Sequence, residues 1–275
     1  MRIFYAIAAV LLGSSAAPAQ SLDSQITLAP HRAVYDLKLL QSRGKRSLES
    51  ARGRILYDFS GSACEGYTLQ FRQVTDLDSG EGKRVVSDLR ATNWEAGDGA
   101  QFRFANNNYS DGKSADASEG SARVVGEKVV IELTKPLAKK IDAPALVFPA
   151  AHMRRVIAAA KEGKTLVEVP LYDGSETGER VYNTLTVVGS AIAPSASKPS
   201  DAAAGQQALE NLIRWPMTVS YFESEKAGSD QTPAYSISFE TYENGISRAL
   251  KLDYGDFVLS GEMTSLEIKE PKPCS

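Results

Sequence analysis

Chemistry needs side chains that attack, ligate or titrate near neutral pH, and this chain holds few of them: two histidines, His31 and His152, and two cysteines, Cys64 and Cys274. Neither histidine has another His, a Cys or a carboxylate cluster at metal-ligand spacing, so no zinc-type site is expected. Each is read as a structural or hydrogen-bonding residue. The stretch nearest to a nucleophile motif is Gly174-Ser175-Glu176-Thr177-Gly178. Glu stands where a G-x-S-x-G elbow needs its serine, so the stretch reads as a polar turn. Gly-rich phosphate loops are missing. Paired carboxylates stay open, because residues distant in sequence can meet across a β cavity. No catalytic residue, metal or cofactor is expected, and the chain is read as a non-enzyme.

The cysteines depend on the compartment, which the first residues address. Met1-Arg2, an apolar run from Ile3 to Leu12 and the small residues Ala17-Pro18-Ala19 have the form of a secretory leader cut after Ala19. The run is too short for a membrane anchor, which needs about 20 apolar residues. No Cys follows the cut, so lipoprotein processing is not expected. In an oxidising compartment the pair Cys64 and Cys274 reads as a disulfide, with a Cys-His nucleophile as the minor alternative. Such a bridge pins the tail onto the first half. Removing Arg2 with the leader takes the formal charge from -3 to -4. That mild acidity, with no basic patch, argues against nucleic acid and against electrostatic docking on a membrane.

The elements that must position these residues are mostly strands. The clearest helix is the mid-chain stretch Phe148 to Gly163, with Pro149 suited to its first turn and Gly163 to the residue past its end. Its periodicity places Pro149, Met153, Val156, Ile157 and Ala160 on one buried face, with Arg154, Arg155, Lys161 and Glu162 outside it. Before it, alternation predicts strands at Ala33 to Leu39, Gly53 to Phe59, Tyr67 to Arg72, Arg84 to Trp94, Gln101 to Phe104 and Lys128 to Leu133, with a turn at Asn106 to Gly112. After it come Val167 to Leu171 and Arg180 to Val188. Gly189 to Gln207, rich in Ala, Ser, Pro, Gly and Gln, reads as a long mobile loop inside the second half without the means to pack, with a domain boundary as the runner-up. A strand then runs through Met217, Val219 and Tyr221. Tyr235 to Phe239 and Leu250 to Tyr254 form a hairpin around Asn244-Gly245, read as a two-residue turn. Beyond Met263 the apolar phase slips by one residue, which suggests a bulge near Thr264-Ser265. Two curved β halves closing over one helix is the simplest arrangement. Tyr35, Phe102, Phe104, Tyr221, Phe239 and Tyr254 are candidates for a cavity wall, although any one of them is better read as core packing.

Several stretches recur together in order along nearly the whole mature chain. They are Leu28-Ala29-Pro30-His31-Arg32-Ala33-Val34-Tyr35, Gly61 to Tyr67 with Cys64, and Phe148-Pro149 with His152. They continue with Trp215-Pro216 through Ser220-Tyr221-Phe222, and Tyr242-Glu243-Asn244-Gly245 through Leu252-Asp253-Tyr254-Gly255-Asp256-Phe257. The set resembles the EipB-like cell-envelope integrity proteins. The resemblance implies a periplasmic antiparallel β-spiral, an open barrel of two half-barrels wrapped around a central helix, with Cys64 and Cys274 as its disulfide pair. It brings no established catalytic residues. His31, Arg32, Tyr35, His152, Trp215, Tyr221, Asn244, Gly245, Asp253 and Tyr254 therefore enter as signature residues without an assigned role.

The expected organisation is a leader over 1–19 and one β-spiral domain over 20–275. Its N-terminal half covers 20–147, its helix 149–162 and its C-terminal half 164–275, with the mobile loop at 189–207. The expected function is a non-enzymatic periplasmic factor that maintains envelope integrity by binding a protein or lipid-like partner on its concave β surface. The alternative is a lipid or lipoprotein carrier, and an envelope hydrolase is the weakest reading. The expected partner is a periplasmic or outer-membrane protein, with a lipid or lipoprotein ligand as the alternative. Nucleic acid and a transmembrane anchor are not expected, and a monomer is.

Overall fold

A computed structural model describes residues 26–43, 48–80, 82–194, 196, 198–224, 232–271 and 274, so the leader read over 1–19 lies outside the described residues. Eight strands precede the helix: β1 (His31–Ser42), β2 (Ser50–Ser62), β3 (Gly66–Asp78), β4 (Arg84–Glu95), β5 (Gln101–Ser110), β6 (Lys113–Val125), β7 (Lys128–Lys135) and β8 (Lys139–Pro144). The helix is α1 (Pro149–Lys161). Six strands follow it: β9 (Leu166–Leu171), β10 (Tyr182–Val188), β11 (Arg214–Glu223), β12 (Tyr235–Tyr242), β13 (Ser247–Asp253) and β14 (Phe257–Ile268).

The fourteen strands among the described residues share one antiparallel sheet, in the order β8-β7-β6-β5-β4-β3-β2-β1-β14-β13-β12-β11-β10-β9. Each half is a meander, and the first strand pairs with the last to join them. The end strands β8 and β9 do not pair with each other. Val147, just past β8, makes a parallel bridge to Leu171 on β9, so the curled sheet comes near closure without reaching it. The expected open barrel of two halves around a helix is what forms. Curvature is aided by irregular register, which re-aims a strand at each extra residue. Val34 faces Ser265 but Tyr35 faces Met263, leaving Thr264 as the extra residue where the apolar phase of the sequence slips.

The concave face carries the core. Ala33, Tyr35 and Leu37 of β1 pack with Ile55, Leu259 and Met263, while Phe102, Phe104, Ile131 and Phe148 fill the far end of the first half. α1 bridges the two halves: Ile157 and Ala158 pack with Phe59 and Tyr67, and Val156 and Ala160 pack with Val188, Trp215 and Met217. The tail is tied back as expected, by a disulfide between Cys64 and Cys274 whose Cα atoms are 5.6 Å apart.

Four sequence readings are corrected, and two strands that the sequence did not signal are added. Arg154 does not lie outside the buried face of α1. The sheet surrounds the helix on several sides, so Arg154 is buried and donates to the Gly97 carbonyl at 2.7 Å. Asn106 to Ser110 belong to β5 and only Asp111-Gly112 turns. The strands β6 and β8 gave no alternating signal, because their small and charged residues are held by ladder pairing with β5 and β7 rather than by an apolar face.

The stretch Gly189 to Gln207 does pack at its end. Ala204 joins the β1–β14 core, and Asp201 forms a buried ion pair with Arg248 at 2.7 Å. The hairpin at Asn244-Gly245 has a three-residue loop, not two. Tyr242 and Ile246 close it, the Gly245 N–H donates to the Tyr242 carbonyl at 2.8 Å, and Gly245 takes φ +86°. That is a type I turn followed by a left-handed residue, the next most common hairpin after the two-residue forms.

Candidate functional site: a cavity between the sheet and the helix

Inward-pointing side chains of both halves and one face of α1 enclose a cavity of about 920 Å³. Strand alternation builds it: Ile55, Tyr57 and Phe59 of β2 and Leu69, Phe71 and Gln73 of β3 all point inward, as do Tyr235, Ile237 and Phe239 of β12. Pro149, Met153 and Val156 of α1 contribute from the opposite side. Of the aromatic residues proposed from the sequence as wall, Tyr35, Phe102, Tyr221, Phe239 and Tyr254 line the cavity. Phe104 does not: it stacks on Phe102 at 5.7 Å and meets Tyr172 edge-on.

The signature residues divide in the same way. His31, Tyr35 and His152 line the cavity, together with Tyr221, Asn244 and Gly245, and Asp253 and Tyr254 stand at its rim. Arg32 and Trp215 are not part of the lining. Arg32 faces outward and pairs with Asp58 at 2.6 Å, and Trp215 packs against α1.

Their partners show what each does locally. His31 donates from Nδ1 to the Ala29 carbonyl at 2.8 Å and stacks on Tyr57, and burial lowers its pKa. The Tyr35 phenol donates to the Ser247 carbonyl at 2.6 Å, tying β1 to β13. His152 sits 2.9 Å from the Thr184 hydroxyl, which itself donates to the Val169 carbonyl at 2.7 Å. The imidazole therefore donates through Nε2, and burial, aided by the Arg155 charge, holds its pKa down at about 4. Both histidines are neutral at pH 7. Asn244 accepts from Ala29 N–H through its carbonyl, so the loop clamps the segment that enters β1. Asp253 pairs with Arg43 at 3.1 Å, and the Tyr254 hydroxyl accepts from Gln73 at 3.2 Å across the cavity mouth.

Two parts of the site escaped the sequence reading. Glu95, at the end of β4, is buried and accepts from Ala150 N–H at 2.6 Å and Ala151 N–H at 2.8 Å, capping α1. Phe148 at the N-cap offers no side-chain bond of its own. Burial outweighs those two donors and the nearby Arg154, and pushes Glu95 up to about 7. Its one available signal was a charged residue in the inward phase of a strand, after Ala91 and Asn93. The other is the setting of Tyr221, which clusters with Tyr182 and Tyr235 near Asp173 and Glu176. Tyr221 and Tyr235 stack at 4.3 Å, Tyr182 meets both edge-on, and its phenol donates to Glu176 at 3.0 Å. Gly174 holds this turn in place, its carbonyl accepting from Asn106 and Ser118 at 2.7 and 2.8 Å.

Among the described residues no group of three or more His, Cys, Asp or Glu is placed to hold a metal ion, and no helix is long and apolar enough to cross a membrane. What the site offers is a large, mostly apolar enclosure with a few fixed polar groups, the usual form of a small-molecule site.

The model of the EipB-like family matches residues 22–270. The chain belongs to the EipB-like family. It is 38% identical over 261 residues to the cell envelope integrity protein EipB of Brucella abortus (strain 2308), an alignment that covers 95% of this chain and 91% of that protein. The EipB-like fold is also seen in the crystal structure of a β-barrel-like protein of domain of unknown function DUF1849 from Brucella abortus. That structure superposes with a TM-score of 0.82 at 36% identity, over 89% of this chain and all of the other. The disulfide, the open spiral and the central helix thus belong to an EipB-like chain compared over almost its full length.

Proposed function

We propose that this protein is an exported, non-enzymatic factor that maintains the integrity of the cell envelope by holding a lipid-like ligand in the cavity between sheet and helix. The observation that carries the reading is the cavity itself: about 920 Å³, walled by aromatic and aliphatic side chains of both halves. That volume lies near the top of the roughly 300–1,000 Å³ range of small-molecule sites. An envelope role is supported by the Brucella abortus relative named for cell envelope integrity and by the leader-like first residues. Both facts support a periplasmic location.

Native mass spectrometry of the protein purified without detergent from its own cells, followed by organic extraction, tests the ligand. A reproducible bound amphiphile is the expected result, and a bare chain under gentle conditions overturns the lipid reading in favour of a protein-binding scaffold. Deletion of the gene is expected to raise sensitivity to detergents and cell-wall antibiotics. Unchanged sensitivity would remove the envelope role.

A further inference from the structure

The sign of charge inside the cavity restricts what it can hold. Among the described residues its lining carries five acidic side chains, Glu95, Asp116, Asp173, Glu176 and Asp253, and no Lys or Arg. The two histidines in the wall are neutral at pH 7, as shown above, so they supply no positive charge. Glu95 is committed to the helix terminus and Asp253 to Arg43. Glu176 is paired with Arg180, which is outside the lining, at 2.7 Å. Asp173 has no ion-pair partner among the described residues; it accepts from the Ser175 N–H at 2.9 Å and bonds the Ser175 side chain, and burial raises its pKa. It shares the cavity lining with Tyr221, Tyr235 and Tyr182 and is close enough for its charge to act on all three phenols. An unpartnered polar atom also reaches the wall: Asn93 Oδ1 is buried without a hydrogen-bond partner.

An anion brought into this enclosure would find no Lys or Arg in the lining to answer it at reduced dielectric, which is unfavourable. A cation brought to Asp173 favours its ionised form and meets aromatic faces beside it, the combination that recognises ammonium groups. We infer that the ligand is an amphiphile with an ammonium-bearing head, whose head lies at Asp173 and the Tyr182–Tyr221–Tyr235 cluster and whose apolar chain runs along β2, β3 and α1. Anionic amphiphiles are disfavoured by the same lining. This rests on the cavity reading above and names the class of molecule that the cavity selects.

Three detergents of equal chain length, used below their critical micelle concentrations, test it on the mature full chain by titration calorimetry: dodecyltrimethylammonium, dodecyl maltoside and laurate. The cationic probe is expected to bind at least about tenfold tighter than laurate, a difference of ~1.4 kcal/mol, with the maltoside between them. In Asp173→Asn the cationic probe should fall to the level of the maltoside while maltoside binding is unchanged. Tetramethylammonium, the same charge without a chain, should compete only weakly. Equal affinity for all three probes overturns the charge rule and leaves the apolar cavity reading standing. Tightest binding by laurate overturns it too, and absence of binding by any probe removes both readings. Displacement of the cationic probe by an unacylated basic peptide as effectively as by a second amphiphile would overturn the commitment to a lipid head. The wild-type ranking stands by itself should the Asn variant fold poorly.

Discussion

The Glu95 carboxylate, at the end of β4, accepts a hydrogen bond from the Ala150 N–H at the start of α1 at 2.6 Å, although the two residues are 55 positions apart. The helix that joins both halves is thus capped by the first half's sheet and not by its own N-cap residue. Capping residues satisfy donors that a helix leaves unpaired at its start and are worth about 1 kcal/mol each.

Because Glu95 titrates near 7 in the fold and near its ordinary 4.5 when unfolded, the folded state holds the proton more tightly. Its effect is therefore a loss of stability as pH rises from about 4.5 to about 7, on the order of 3 kcal/mol across that window. Glu95→Gln removes this slope and keeps one accepting oxygen. Urea denaturation at several pH values should show the variant gaining on the wild type as pH rises, and parallel curves would refute the assignment.

His152 acts with the opposite sign. Its folded pKa is lowered from 6.5 to about 4, so the unfolded chain takes up the proton first. Stability present above about 6.5 is lost as pH falls towards 4, again by on the order of 3 kcal/mol. His152→Gln should flatten that acid limb while leaving the midpoint at pH 7.5 within about 1 kcal/mol, the value of one hydrogen bond. The windows of Glu95 and His152 overlap, so each is read from the difference between variant and wild type.

Asp201 and Arg248 are each only 4% exposed at the side chain and 2.7 Å apart, and Asp201 also accepts from the Met263 N–H. Arg248 keeps Glu240 at 2.5 Å when Asp201 is removed, so the loss is that of the charged hydrogen bonds, about 1.5–3 kcal/mol. Asp201→Ala should lower the denaturation midpoint and raise amide exchange across residues 198–209. Unchanged exchange there would mean that the ion pair does not anchor the segment.

The Cys64–Cys274 bridge closes a loop of 210 residues. The chain-entropy model sets its upper stabilisation at about 5 kcal/mol. Reductant, or Cys64→Ser, should lower the melting temperature clearly. An unmoved midpoint would show that tail docking is independent of the bridge.

Much of the architecture was legible in the sequence because strand and helix have distinct periods. Tyr67, Leu69 and Phe71 alternate as a half-buried strand must, the Pro149 to Gly163 stretch carries helix punctuation at both ends, and the phase slip past Met263 marked the bulge at Thr264. Where a segment is held by ladder hydrogen bonds instead of an apolar face, as β6 is, the sequence carries no period to read.

The cavity was less legible. Its aromatic wall followed from inward alternation, and Tyr35, Tyr221 and Phe239 were named on that ground. Glu95, Asp173 and Arg154 were not, because a charged residue declares its partner only when another element is folded against it. Composition and periodicity by themselves determined a β-rich chain around one helix, an acidic net charge and a cysteine pair. Only the tertiary structure decided which charges are buried, which tyrosines meet Asp173 and that the lining holds carboxylates without a basic residue. Those facts depend on long-range registers such as β1 with β14, which close contacts more than 200 residues apart and leave no local trace in the chain.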